Sequence, residues 1–195
     1  MNIIKNTLSV IGFVAVMVML VVIYLAEPAY HRFSQFDEAA ANTYLQLAKK
    51  ILQTGNAAEA TVWKEKVADG LSAEDVEQAM LSVANENNIK NVGVLPLYKE
   101  IAAISGKEYR YMKIYMFCNA LTAAKMADFS DAFTAYLPCR VTLLEDQQGQ
   151  LWVYSLNMDL MIYGGEPLPD DLKKEALKVK QIIQDIMKRG AEGEF

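Results

Sequence analysis

Residues 137–156 read LPCRVTLLEDQQGQLWVYSL, and this stretch decides the fold class. Two short runs, CRVTLLE and LWVYSL, are rich in β-branched and aromatic residues, and DQQG between them has the composition of a turn. The pattern predicts an antiparallel β-hairpin introduced by Pro138. On its first arm Cys139, Val141 and Leu143 alternate with Arg140, Thr142 and Leu144, so one set faces a core.

Upstream, YRYMKIYMFC at 109–118 predicts a further strand. Met112, Ile114, Met116 and Cys118 share one face, expected to be the apolar one, while Tyr109, Tyr111, Lys113, Tyr115 and Phe117 share the other. IKNVGVLPL at 89–97 predicts a strand before it, and helices are expected near 97–104 and 119–128. Three helices are expected earlier still. The first covers about 36–53, with Phe36, Ala40, Tyr44, Leu47, Ala48 and Ile51 at helical spacing and Gly55 as its stop. The second opens at Asn56 and Glu59, which have capping-box spacing, and carries Trp63 and Val67 to Gly70. The third opens at Ser72, with Asp75 in its first turn and Val76, Met80 and Val83 on one face.

Downstream, a last short strand is expected near 158–163, followed by the helix DDLKKEALKVKQIIQDIMKRG. Acids open this helix and Lys188 and Arg189 close it, as the helix dipole prefers. Leu172, Ala176, Val179, Ile183 and Ile186 form a narrow apolar seam that packs on its own domain or, in the alternative, on another chain.

The other organising stretch is LSVIGFVAVMVMLVVIYLA, Leu8 to Ala26. No charge falls between Lys5 and Glu27, and at about 1.5 Å per helical residue the run reaches the roughly 30 Å of a hydrocarbon core. A cleaved signal peptide would have a shorter apolar region ending in small residues, whereas this run ends in Tyr24, Leu25, Ala26, Glu27 and Pro28. The stretch therefore reads as a retained single-pass anchor. Lys5 and the α-amino group before it, against Glu27, Asp37 and Glu38 after it, place the amino terminus in the cytoplasm and the rest outside, in the periplasm of a double-membrane bacterium.

Only one basic residue, Lys5, precedes Glu27, so residues 27–195 carry all 24 acidic residues and 18 of the 19 basic ones, a formal net charge of −6. With no cluster of Lys and Arg, nucleic acid is excluded as a partner. The expected organisation is a cytoplasmic terminus at 1–7, the anchor at 8–26, a juxtamembrane helical segment at 27–70, an α+β domain at 71–165 and a terminal amphipathic helix and tail at 166–195. The fold class is α+β: an N-terminal transmembrane helix, then helices and a small antiparallel sheet packed with helices.

Three stretches of this domain resemble domain-of-unknown-function family 302, known from uncharacterised bacterial proteins. They are EDVEQAMLSVANENN running into IKNVGVLPL, the strand ending in Phe117, Cys118 and Asn119, and LPCRVTLLEDQQG with its return strand. The resemblance covers about residues 71–165 and implies an antiparallel sheet with helices on one face, a scaffold that often self-associates. It implies no catalytic residues. Relative to short members, the anchor, the helices before residue 70 and the long terminal helix stand out as additions.

Cys118 and Cys139 form the first candidate site, as a disulfide, as two buried thiols or as a redox pair. Arg140 beside them is a candidate ligand or partner contact, with Glu100 or Asp128 as alternative ion-pair partners. Tyr111, Tyr115, Phe117, Trp152 and Tyr154 are expected to form either a binding patch or a second core. His31 is the chain's one histidine, so two-His copper and paired C-x-x-C zinc sites have no ligand set within the chain. No metal and no cofactor is expected; haem or copper are the lesser alternatives, with His31 or the Met158 and Met161 thioethers as ligands. Motifs of hydrolases, zinc proteases, dinucleotide binders and P-loops are absent, so the enzyme reading is the weaker one.

The expected function is that of an anchored, externally facing accessory or scaffold protein, binding membrane protein subunits, such as those of a respiratory or electron-transfer assembly, or a second copy of itself. The alternative is a tethered small-molecule or cofactor-binding domain, or a thiol redox protein using Cys118 and Cys139.

Overall fold

A computed structural model describes the backbone of residues 2–195 and the side chains of residue 7 and residues 11–195. Met1 and the Lys5 side chain, on which the orientation expectation rests, lie outside the described residues. The first element, α1 (Asn2–Phe33), runs on through Pro28 and ends seven residues after Ala26. Its segment Ile11–Phe33 has a mean hydropathy of 2.3 and none of it is buried against the rest of the protein, so it is long and apolar enough to cross a bilayer.

The remaining chain is an α+β domain. Helix α2 (Ala40–Thr54) ends at Gly55 in the left-handed conformation. Helix α3 (Ala57–Ala60) is a single turn, whose Asn56 cap accepts from the Ala58 N–H at 2.9 Å. Strand β1 (Val62–Lys66) follows, then α4 (Ala73–Glu86), β2 (Lys90–Leu95), α5 (Leu97–Ser105), β3 (Met112–Cys118), α6 (Ala120–Phe129), a 3-10 turn at Asp131–Tyr136, β4 (Cys139–Glu145), β5 (Leu151–Leu156), α7 (Asp159–Tyr163) and α8 (Asp170–Glu192). Ser72 opens α4 as expected and forms a capping box with Asp75, whereas Asn56 and Glu59, which have capping-box spacing, form only the Asn56 half of one.

The five strands form one antiparallel sheet in the order β1-β5-β4-β3-β2. Its register builds two rows. Tyr115 faces Val141, which faces Ser155, which faces Trp63, and this row points at the core. Ile114 faces Thr142, which faces Tyr154, which faces Lys64, and this row points away from it. Helices α4 and α8 pack against each other and cover the inner face. Tyr115, Phe117, Val141, Leu143 and Val153 from the sheet are fully buried with Val76, Met80 and Val83 of α4 and Ile183 and Ile186 of α8. The seam on α8 therefore packs on its own domain, and Gly190 lets it approach α4 so closely that a Cβ there would overlap Met80.

Three expectations are corrected. The segment carrying Trp63 and Val67 is not a second helix: after one turn the chain extends into β1, because β5 offers an open hydrogen-bonding edge and Val62 and Trp63 suit a strand. The segment 158–163 is helix α7, not a strand. Its opening N–H, on Asp159, donates to Asn157 Oδ1 at 2.8 Å, and a short apolar run such as LMIY carries no period of its own. Finally, the apolar face of β3 is reversed. Tyr115 and Phe117 lie in the core, while Met112, Ile114, Met116 and Cys118 are only half-buried on the outer face. Both alternating sets are apolar, so bulk decides: the larger rings fill the space beneath α4 and α8.

Candidate functional site: a cleft beneath helix α2

A concavity lies where α2 stands off the domain. Four hydrogen bonds hold α2 and the loop before it there. Asp37, with a side chain 2% exposed, accepts from Lys173 Nζ of α8 at 2.5 Å. The Asp37 N–H donates to Gly165 O at 2.9 Å, and Tyr44 Oη donates to Gly164 O at 2.5 Å. Lys50 Nζ donates to Val62 O at 3.0 Å. Burial alone would raise the Asp37 carboxyl, but the Lys173 hydrogen bond, the Ala39 N–H and the Lys173 charge outweigh it and hold the pKa below its ordinary value. The hydrogen bond to Asp37 correspondingly raises Lys173.

Between α2 and the domain this leaves a cleft of about 580 Å3. Asn42, Gln46, Leu47 and Lys50 line it from α2, and Leu156, Asn157, Leu160, Met161 and Lys180 from the other wall. The Lys180 ammonium pairs with Asp159 and sits 5.6 Å from the Tyr163 ring centroid, so its charge is satisfied in place. Apolar walls with a few fixed polar groups suit binding. No described group of three or more His, Cys, Asp and Glu side chains in the chain is placed to hold a metal ion.

The predicted site residues do not converge on this cleft. Cys118 and Cys139 are both free thiols. Cys139 lies opposite Phe117, so Cys118 occupies the next position on β3, whose side chains alternate to the outer face. Both nevertheless border a separate apolar crevice of about 30 Å3, room for about one water. Burial, then the neighbouring Cys118, push the Cys139 thiol up to about 11, and burial raises Cys118 as well. Neither is a ready nucleophile at neutral pH.

Arg140 is exposed on the outer face opposite Met116, and among the described residues neither Glu100 nor Asp128 pairs with it. The expected aromatic patch is split. Tyr115 is core, its hydroxyl buried without a hydrogen-bond partner among the described residues and its pKa raised chiefly by burial, while Tyr111 stacks on Tyr98 of α5 at 4.8 Å. Trp152 and Tyr154 lie half-buried on the outer face; Trp152 Nε1 donates to Asp146 Oδ2 at 2.9 Å and Lys64 Nζ sits 5.4 Å from its ring centroid. His31 is exposed at the end of α1, with Gln35 Nε2 3.4 Å from its Nδ1.

Comparison with known proteins places this geometry in a lineage. A family model, Domain of unknown function DUF302, matches residues 64–190. This chain belongs to the DUF302 family. Among solved structures it is similar to an uncharacterized conserved DUF302 protein from Bacillus stearothermophilus, with a TM-score of 0.54 at 12% identity, over 66% of this chain and 97% of that one. No curated protein matches. The DUF302 match takes in α8, which packs as an integral part of the domain, and extends beyond the 71–165 carried by the sequence motifs. It begins within β1, so α1, α2 and α3 precede it. The cleft is therefore a joint between a DUF302 domain and this chain's N-terminal helices.

Of the residues that build that joint, Tyr44 and Leu47 were read from sequence only as helical periodicity and Met161 only as a soft ligand. Asp37 entered only as one of the charges after the anchor, and Lys173 lies 136 positions away. The half-buried pair of Glu77 and Lys113, 2.6 Å apart at the core's margin, was equally silent. Opposite charges on separate elements carry no local signal.

Proposed function

We propose that this protein is a single-pass, membrane-anchored binding module: α1 spans the bilayer with the amino terminus inside, and the DUF302 domain outside docks a partner subunit of the same membrane or a second copy. The observation that carries this reading is α1, whose strongly apolar segment Ile11–Phe33 is exposed along its whole length among the described residues. The outer face of the sheet supports it. Ile114, Met116, Leu144, Trp152 and Tyr154 are half-buried there, and Arg140 stands among them with no acidic partner among the described residues. Partly exposed aromatic and aliphatic side chains around an arginine suit a protein interface.

Alkaline extraction of membranes expressing the full chain tests the anchor. The protein is expected to stay in the pellet at its full 21.8 kDa. Release into the supernatant, or a mass shortened by cleavage after the apolar run, would overturn the reading. Protease added to sealed right-side-out vesicles is expected to digest the domain, and a protected domain would reverse the orientation.

The cleft favours a second reading, a tethered small-molecule binder, since about 580 Å3 lies within the roughly 300–1,000 Å3 of ligand pockets. Native mass spectrometry should then show a small adduct that Met161→Trp displaces. A bare chain in every preparation counts against it.

A further inference from the structure

We infer that α2 is a membrane-surface helix, lying in the headgroup region of the bilayer that α1 crosses; this rests on the reading of α1 as a span. The amphipathicity of α2 is inverted relative to its own domain. Ala41, Tyr44, Leu45, Ala48, Ile51 and Leu52 recur at helical spacing, and all six are exposed, Leu45 at 66% and Leu52 at 85%. The flank that lines the cleft is the more polar one, with Asn42, Thr43, Gln46 and Lys50 around a single leucine, Leu47. A helix that showed an uncharged apolar stripe to water and its polar flank to protein would be packed the wrong way round for a soluble surface.

The occupant follows from continuity. Only residues 34–39 separate α1 from α2, and the Phe33 ring of α1 meets the Tyr44 ring of α2 with centroids 6.3 Å apart. The exposed Phe33 of α1 thus meets the stripe at Tyr44, with exposed Tyr30 one turn before it. Asp37, bonded to both Gly165 and Lys173, ties the link to the domain, which keeps α2 at the point where α1 leaves the bilayer. Residues 27–195 are net acidic, so apolar burial and not attraction to anionic lipid supplies the affinity, as in interfacial helices that insert one face. Tyr44 matches the aromatic preference of that region. The chain then contacts the membrane along two helices at once, and the cleft beneath α2 opens at the level of the headgroups.

The test uses the full chain in phosphatidylcholine nanodiscs, one copy per disc, with the photocrosslinking residue p-benzoylphenylalanine placed in turn at Leu52, Leu45, Gln46 and Val18. All four are exposed positions, so the fold tolerates the change. The expected result is a phosphatidylcholine adduct by intact mass at Leu52 and Leu45, severalfold more abundant than at Gln46, together with one at Val18. An adduct at Val18 with Leu52 and Leu45 no higher than Gln46 overturns the inference while leaving the span intact. Loss of the adduct at Val18 overturns the span and the inference together. In native membranes, crosslinks from Leu52 to a protein instead of lipid overturn it in favour of a partner helix.

Discussion

Lys173 of α8 donates to the buried carboxylate of Asp37 at 2.5 Å, joining the loop that follows α1 to the last helix of the domain. Charge-assisted hydrogen bonds to a carboxylate this enclosed are worth about 1.5–3 kcal/mol. Asp37→Asn is therefore expected to loosen α2 by about 2 kcal/mol. Hydrogen exchange should show faster exchange of the α2 amides with the sheet unchanged; uniform exchange across both would contradict a local tie.

The same pair gives α2 a pH window. The Asp37 pKa is depressed in the folded protein, so its contribution is complete above the unfolded value of about 3.9 and is lost as pH falls through the lower folded value. Lys173 is raised, so its contribution is complete below about 10.4 and is lost as pH rises through the higher folded value. Protection of α2 should be flat between these limits and fall outside them. A transition near neutral pH would contradict the assignment.

Phe117 and Met116 are neighbours on β3 with opposite fates, one fully buried and one on the outer face. Phe117→Ala should cost about 3–5 kcal/mol by denaturant unfolding, within the range for buried aromatic truncation, and Met116→Ala clearly less. Equal losses, or the reverse order, would restore the face assignment expected from sequence.

Gly190 sits on α8 where a Cβ would overlap Met80 of α4. In an exposed helix interior Gly→Ala stabilises by about 1 kcal/mol, but overpacking costs about 1–3 kcal/mol. Gly190→Ala is expected to lower the unfolding midpoint, and Gly190→Ala with Met80→Ala to recover part of the loss. A stabilised single variant would show that α4 and α8 are further apart than described.

Both cysteines are expected to be free in protein taken from its native compartment, reacting slowly with iodoacetamide at neutral pH and faster as pH approaches the value of about 11 to which Cys139 is raised. Because the folded thiol pKa exceeds the unfolded one of about 8.5, the stability linked to Cys139 is complete below that value and is lost as pH rises toward the folded one. A mass two protons lighter under non-reducing conditions would mean a bridge.

What sequence disclosed, and what it could not, follows from the range of the forces involved. The hairpin, the Ser72 cap, the α8 seam and the apolar α1 are local patterns read within a few turns or strand residues, and each is present in the structure. Strand parity in β3 was not readable, because Met112, Ile114 and Met116 compete with Tyr115 and Phe117 on equal apolar terms and only the depth of the α4–α8 layer decides. The α2 periodicity of Tyr44, Ala48 and Ile51 was legible, but periodicity alone does not say which side of a helix meets the domain. Their exposure is visible only once Asp37, Tyr44 and Lys50 fix which side meets the domain. The cleft had no signature at all, since its walls come from several segments widely separated in sequence, α2 on one side and residues from Leu156 to Lys180 on the other.

Whether this protein is an anchored module that docks a partner is decided by native mass spectrometry of the full chain extracted from its own membrane in polymer-bounded lipid discs. The 21.8 kDa chain is expected in a complex with a further subunit or a second copy, lost when the outer sheet face is altered by Arg140→Glu with Tyr154→Ala. A chain that leaves the membrane alone, or a complex indifferent to those two changes, would contradict it.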